Sequence, residues 1–212
     1  MTASTSAHGV ARRLAFALPD AVSAATFAVI WVAPLAFGAH AVRNGMLLML
    51  IEFIMVHSAG FLGGLLFASD KSRKARVAAL LGMGLFYTGF VAAFCLAFDA
   101  WWPLGAFGWL LLGKFIVIMD RSAISEEKKQ RMQTGWGLSV AAYIGGVFLT
   151  SILPMPRLGM SAEVQPQFGL PGSGLWVEEP HRVIAFGLLY FGFLSWSKWK
   201  DWNPGAKATP RG

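Results

Sequence analysis

The sequence predicts an all-α polytopic membrane protein, a bundle of six transmembrane helices with both termini cytoplasmic. Three observations predict it. The 212 residues are 56% hydrophobic and only 14% charged, too few charges to cover a water-soluble domain of this size. Six stretches supply the roughly 20 mostly apolar residues that a spanning helix needs. Lys and Arg also alternate between the connections in the way that fixes orientation. The N-terminal tail (Arg12, Arg13), the second-to-third connection (Lys71, Arg73, Lys74, Arg76), the fourth-to-fifth (Arg121, Lys128, Lys129, Arg131) and the C-terminal tail (Lys198, Lys200, Lys207, Arg211) hold fourteen of the 18 basic residues. The opposite connections hold three, Arg43, Arg157 and Arg182. Cationic loops are retained on the cytoplasmic side, so an even number of spans with both ends inside is expected.

Residues 1–17 read as a cytoplasmic tail. The first span, 18–38, opens on Pro19 and Asp20; proline suits a first helical turn, and Pro34 is placed to kink or end the helix. The same segment, with its basic start, apolar core and small residues at Ala39 and Ala41, also has the pattern of a secretory signal. Its apolar core exceeds the roughly 7–15 residues of such signals, so a retained first helix is expected. The second span, 46–67, carries Glu52 and His57. The third, 77–98, has no charge. Its Cys95 is the only cysteine, which excludes an intrachain disulfide and reads as a small buried hydrophobe. The fourth, 102–119, contains Lys114. The fifth is 136–153, and an outer loop, 154–182, rich in Pro and Gly, is expected to form an ordered cover. The sixth, 183–199, follows Glu178, Glu179 and Pro180, and 200–212 is a cytoplasmic tail. Tryptophans mark the boundaries, as amphipathic rings prefer: Trp101, Trp102 and Trp176 outside, Trp136, Trp196, Trp199 and Trp202 inside.

Helices in lipid associate through close backbone contact. Gly60 and Gly64 in the second span, and Ala142, Gly146 and Thr150 in the fifth, recur at i, i+4 and form smooth faces for a neighbouring helix or another membrane protein. His57 shares the Gly60–Gly64 face and is expected to point into the bundle.

Ionisable groups within a bilayer cost several kcal/mol and are functional candidates by default. Three qualify: Glu52, His57 and Lys114. Glu52 and His57 lie about 140° apart around the helix, so they form no shared metal stripe and lack the i, i+4 spacing of the zinc-protease motif. They are expected to line an outward-opening polar pocket. Lys114 either snorkels to the cytoplasmic interface or pairs with Glu52. His40, Asp99, Glu178, Glu179 and His181 collect at the outer boundary. Glu178 and Glu179 suit the positive start of the last helix, and the alternative is a divalent-metal site built from all five.

Phosphate-binding loops, dinucleotide fingerprints, the nucleophile elbow and C-x-x-C pairs are absent from the sequence. The net charge of +7 is explained by orientation and lipid headgroups, with no nucleic-acid partner. The expected function is the binding or passage of a small ion or solute by a multi-pass protein of a bacterial inner membrane. Two alternatives stay open: a non-catalytic accessory subunit docking other membrane proteins through its glycine faces, and a metal-dependent membrane enzyme.

Overall fold

The computed structural model describes residues 2–67, 72–119, 125–200 and 202. Lys71, Arg121, Lys207 and Arg211 of the basic set lie outside the described residues, as do the side chains of Arg12 and Lys128 and nearly all of the 200–212 tail. The described residues are helical, without a strand: α1 (Thr2–Val32), α2 (Ala41–Phe67), α3 (Arg73–Phe98), α4 (Trp102–Met119), α5 (Glu126–Ile152), a short α6 (Leu175–Glu178) and α7 (Pro180–Trp199). A 3-10 turn, Gln165–Phe168, lies between α5 and α6.

Five of the helices, α1 to α5, are long and apolar enough to cross a membrane. The helix over the expected sixth span is outside that set, and its packing explains why. α7 lies against α1, α2 and α5, with Val183, Ile184, Ala185, Phe186 and Tyr190 almost fully buried. A helix shielded by its neighbours needs less apolar surface than one facing lipid, so α7 can carry Arg182, Tyr190, Ser195 and Ser197.

Helix ends overrun the apolar stretches wherever charged residues continue the helical backbone. α1, α3 and α5 begin well before residues 18, 77 and 136, because charge ends a span but does not end a helix. Pro19 therefore lies inside α1 and not in its first turn. It withholds one N–H, and the Ser23 hydroxyl donates to the Pro19 carbonyl at 3.0 Å one turn on. Pro34 stands two residues past the end of the helix at Val32.

Contacts fix the direction of each helix. On α1 and α7, the Ser195 hydroxyl donates to the Ala17 carbonyl at 3.2 Å, while Phe27 stacks on Phe191 with ring centroids 5.8 Å apart, so the two helices run antiparallel. Phe27 also fills the notch at Gly187, where any Cβ would collide with its ring. On α2 and α5, Tyr143 reaches the Met49 carbonyl and Trp136 the Val56 carbonyl, again antiparallel. α3 and α4 pack through Gly84 on Leu111 and Tyr87 on Phe107. The six long helices thus alternate up and down. One end carries Arg13, Arg73, Lys74, Lys129, Arg131 and Lys198, and is called the basic end below; the opposite, long-loop end carries 33–40, 99–101 and 153–174.

The long loop packs on the bundle. Met160 and Phe168 are buried, the Gly159 amide bonds the Trp31 carbonyl, and the Trp31 indole donates to the Pro156 carbonyl. Arg182 ties loop and bundle together. Its Nη1 donates to the carbonyls of Thr150 (2.7 Å), Ser151 (3.1 Å) and Leu153 (3.0 Å), and its Nε meets the Glu179 carboxylate. One guanidinium therefore satisfies the orphan acceptors at the end of α5.

Candidate functional site

Glu52 and His57 take different faces of α2. The Tyr190 hydroxyl of α7 donates to Glu52 Oε1 at 2.7 Å, and Glu52 lines a cavity of about 440 Å³. His57 is exposed on the outside of the bundle. Its Nδ1 is 3.0 Å from the Tyr87 hydroxyl of α3, and its ring lies between Phe53 (5.6 Å), Phe61 (5.1 Å) and Tyr87 (5.9 Å). The sequence reading turned His57 inward with Gly60 and Gly64. Instead, α5 occupies the Gly60 side: Trp136 fills that notch and donates to the Val56 carbonyl at 2.9 Å, leaving His57 beyond the contact.

The cavity is bounded by α2, α4 and α5, with Glu52, Gly60, Gly64, Lys114, Trp136 and Ser139 among its walls. It extends from Glu52 to Gly64, about 18 Å along the helix axis, and therefore runs toward the basic end. The expected outward-opening pocket would open at the end away from the basic connections; its walls run toward the basic end instead. On the long-loop side of Glu52 stand Leu47, Met49, Phe186 and Tyr190, all nearly fully buried, and Tyr143, whose hydroxyl donates to the Met49 carbonyl at 2.7 Å. Two cavities of about 340 and 430 Å³ beyond them, around Leu50 and Phe94, share no wall residue with the Glu52 cavity. No residue of α7 is among the cavity walls, which come from α2, α4 and α5. α4 and α5 each pack on α2 but hardly on each other, so the cavity has a side opening between them.

Lys114 is brought to the same cavity as Glu52. It is half-buried, and among the described residues nothing pairs with it, Glu52 included. Ile118, one turn beyond Lys114, shares an apolar cluster with Leu62 of α2, so Lys114 lies on the basic-end side of Glu52. The remaining walls are mostly apolar: Met55, Val56, Ala59, Met132 and Trp136.

A second polar group adjoins Glu52. Ser139 lines both this cavity and a smaller one of about 180 Å³ toward the basic end, whose walls include Thr134, Ser197 and Lys198. Lys198 pairs with Asp20 of α1 at 2.5 Å. Tyr190, Ser139 and Asp20 were not singled out from sequence, although a signal existed. The chain has three tyrosines, all within apolar stretches and away from the interfaces such rings prefer. Tyr190 serves Glu52, Tyr87 serves His57, and Tyr143 closes the roof.

The outer five residues are not gathered. Among the described residues no group of three or more His, Cys, Asp or Glu side chains is placed to hold a metal ion. His40 is exposed in the 33–40 connection and Glu178 on α6. Asp99 takes the left-handed position that ends α3, φ 48°, and Glu179 turns to Arg182, whose hydrogen bond holds its carboxyl below the usual carboxylate range. His181 is buried, and that burial holds its imidazole below the usual value. Each is absorbed locally.

No family model, curated protein or solved structure matches this chain.

Proposed function

We propose that this chain is a six-span protein of a bacterial inner membrane, both termini cytoplasmic, that binds a small molecule in the cavity between α2, α4 and α5. The alternation of six long helices and the concentration of Lys and Arg at one end support that topology. The basic end is then cytoplasmic, and the cavity opens in the inner half of the membrane. One observation carries the binding role: Glu52 and Lys114 line one cavity without neutralising each other. Of the two expectations for Lys114, pairing with Glu52 is not made, and a lysine that only snorkelled would have no need of a cavity shared with a carboxyl, since charge in a bilayer is costly. The volume falls within the roughly 300–1,000 Å³ of small-molecule sites.

Binding, not passage, is the step this arrangement supports, because the side chains above Glu52 close the route outward. The accessory reading draws less support from the glycine faces: Gly60 and Gly146 are occupied by Trp136 and Phe186 of the same chain. The test is native mass spectrometry of the protein released from lipid nanodiscs. A Cβ at Gly64 meets open space and Gly64 lines the cavity, so Gly64→Leu directs its side chain into that space. A bound non-protein mass in the wild type that disappears in this variant is the expected result; identical spectra would remove the binding role.

A further inference from the structure

Given the binding reading, the polar contacts of the cavity decide the chemistry of its ligand. Glu52 already accepts a hydrogen bond from Tyr190. Lys114 has no counterpart among the described residues, so the unmet requirement of the site is an acceptor or an anion. Apart from Gln133 and Ser139, the other walls are methionine, valine, alanine, glycine and tryptophan, which suit a hydrocarbon body. The opening lies between α4 and α5, at the level of the acyl chains in the proposed topology. Gln133 and Trp136 on its α5 side are exposed.

We infer that the cavity takes an anionic amphiphile, an apolar chain ending in a carboxylate or phosphate, which enters sideways from the inner leaflet and sets its anionic group against Lys114. An aqueous route is unnecessary for such a ligand, because it is already concentrated in the membrane. The anion neutralises an ammonium in a low-dielectric setting, where the attraction is strong, and the chain covers the apolar wall.

Trp136 lies in the wall, so brominated ligands that quench indole emission report occupancy directly. The full-length protein in nanodiscs of unbrominated phosphatidylcholine is titrated with brominated stearate, brominated phosphatidate, brominated phosphatidylcholine and brominated stearyl alcohol. Saturable quenching is expected from stearate, from phosphatidate or from both, and identifies a free acid or a lipid headgroup as the source. The alcohol and phosphatidylcholine should give only the weak, linear quenching of general lipid contact. Trp136→Phe should remove the saturable part. Lys114→Met should weaken the apparent affinity by about tenfold or more, with Lys114→Arg retaining it. Equal quenching by acid and alcohol, or an unchanged affinity in Lys114→Met, overturns the inference. Gly64→Leu separates the two levels. If a neutral or cationic molecule leaves the protein in that variant while the brominated acids never bind, the cavity remains a binding site and only the anionic class is lost.

Discussion

The Tyr190 hydroxyl and Glu52 Oε1 are 2.7 Å apart, a hydrogen bond between α7 and α2 that closes the cavity at mid-bundle. Both partners are far from either helix end, so the contact fixes the register of two parallel helices as well as the position of the carboxyl. Tyr190→Phe removes the donor and leaves a buried acceptor, at a cost of about 1–3 kcal/mol. Thermal unfolding in detergent should show a lower Tm, and Glu52→Gln, which keeps an acceptor for the phenol, should lower it less.

The two glycines on the α2 wall should behave oppositely. A Cβ at Gly60 would come within 2.6 Å of the Trp136 ring, so Gly60→Ala forces that ring off the Val56 carbonyl and destabilises by about 1–3 kcal/mol. Gly64 has open space, and Gly64→Ala should stabilise by up to about 1 kcal/mol through helix propensity. Denaturation midpoints of the two variants test the contrast.

Arg182 should act as a clamp on the end of α5. Arg182→Gln strands carbonyls of Thr150, Ser151 and Leu153, a loss of about 2 kcal/mol or more. The bond to Glu179 adds a pH dependence whose sign follows from the depressed carboxyl. A group more acidic in the folded than in the unfolded chain contributes stability in full above its ordinary value of 4.5, and that contribution disappears as pH falls through the folded value. The Glu179 contribution to Tm should therefore be constant above about pH 5 and lost below it. It lies beneath an earlier decline that starts as pH falls under the ordinary 6.5 of the depressed His181 imidazole, and Glu179→Gln should flatten only the lower, acid limb.

Orientation is open to chemical labelling, since Cys95 is the only cysteine and is buried. In a Cys95→Ala background, cysteines at Ser72 and Ser125 should react with an impermeant maleimide only from the cytoplasmic side, and one at Ser173 only from the other. Labelling of all three from one side would refute the six-span arrangement.

Much of the architecture was written in the apolar stretches. Trp102–Met119 coincides with its helix because both boundaries are set by one change in polarity and by the neighbouring connections. α1, α3 and α5 start earlier than expected because Lys, Arg and Glu continue a helix beyond the hydrocarbon. The site was legible only in part. Glu52 and Lys114 stood out because charge in lipid is rare. Their shared cavity did not, since it depends on how α2, α4 and α5 pack together, a matter of three-helix packing that no single segment encodes. His57 was turned the wrong way for a related reason: the Gly60 face attracted Trp136, and the histidine one step around was displaced to the α3 border.

The central position of α7 bears on how the chain is made. Of the helices described, α1 emerges from the ribosome before the others, yet its principal neighbour in the finished bundle is α7, the last of them in chain order. Until that segment arrives, Asp20 has no Lys198 and Phe27 has no Gly187 notch, so the first helix must wait in the bilayer with a carboxyl unmet. Closure of the bundle then waits on a keystone, and a nascent chain truncated before Pro180 would keep α1 to α5 but no closed bundle.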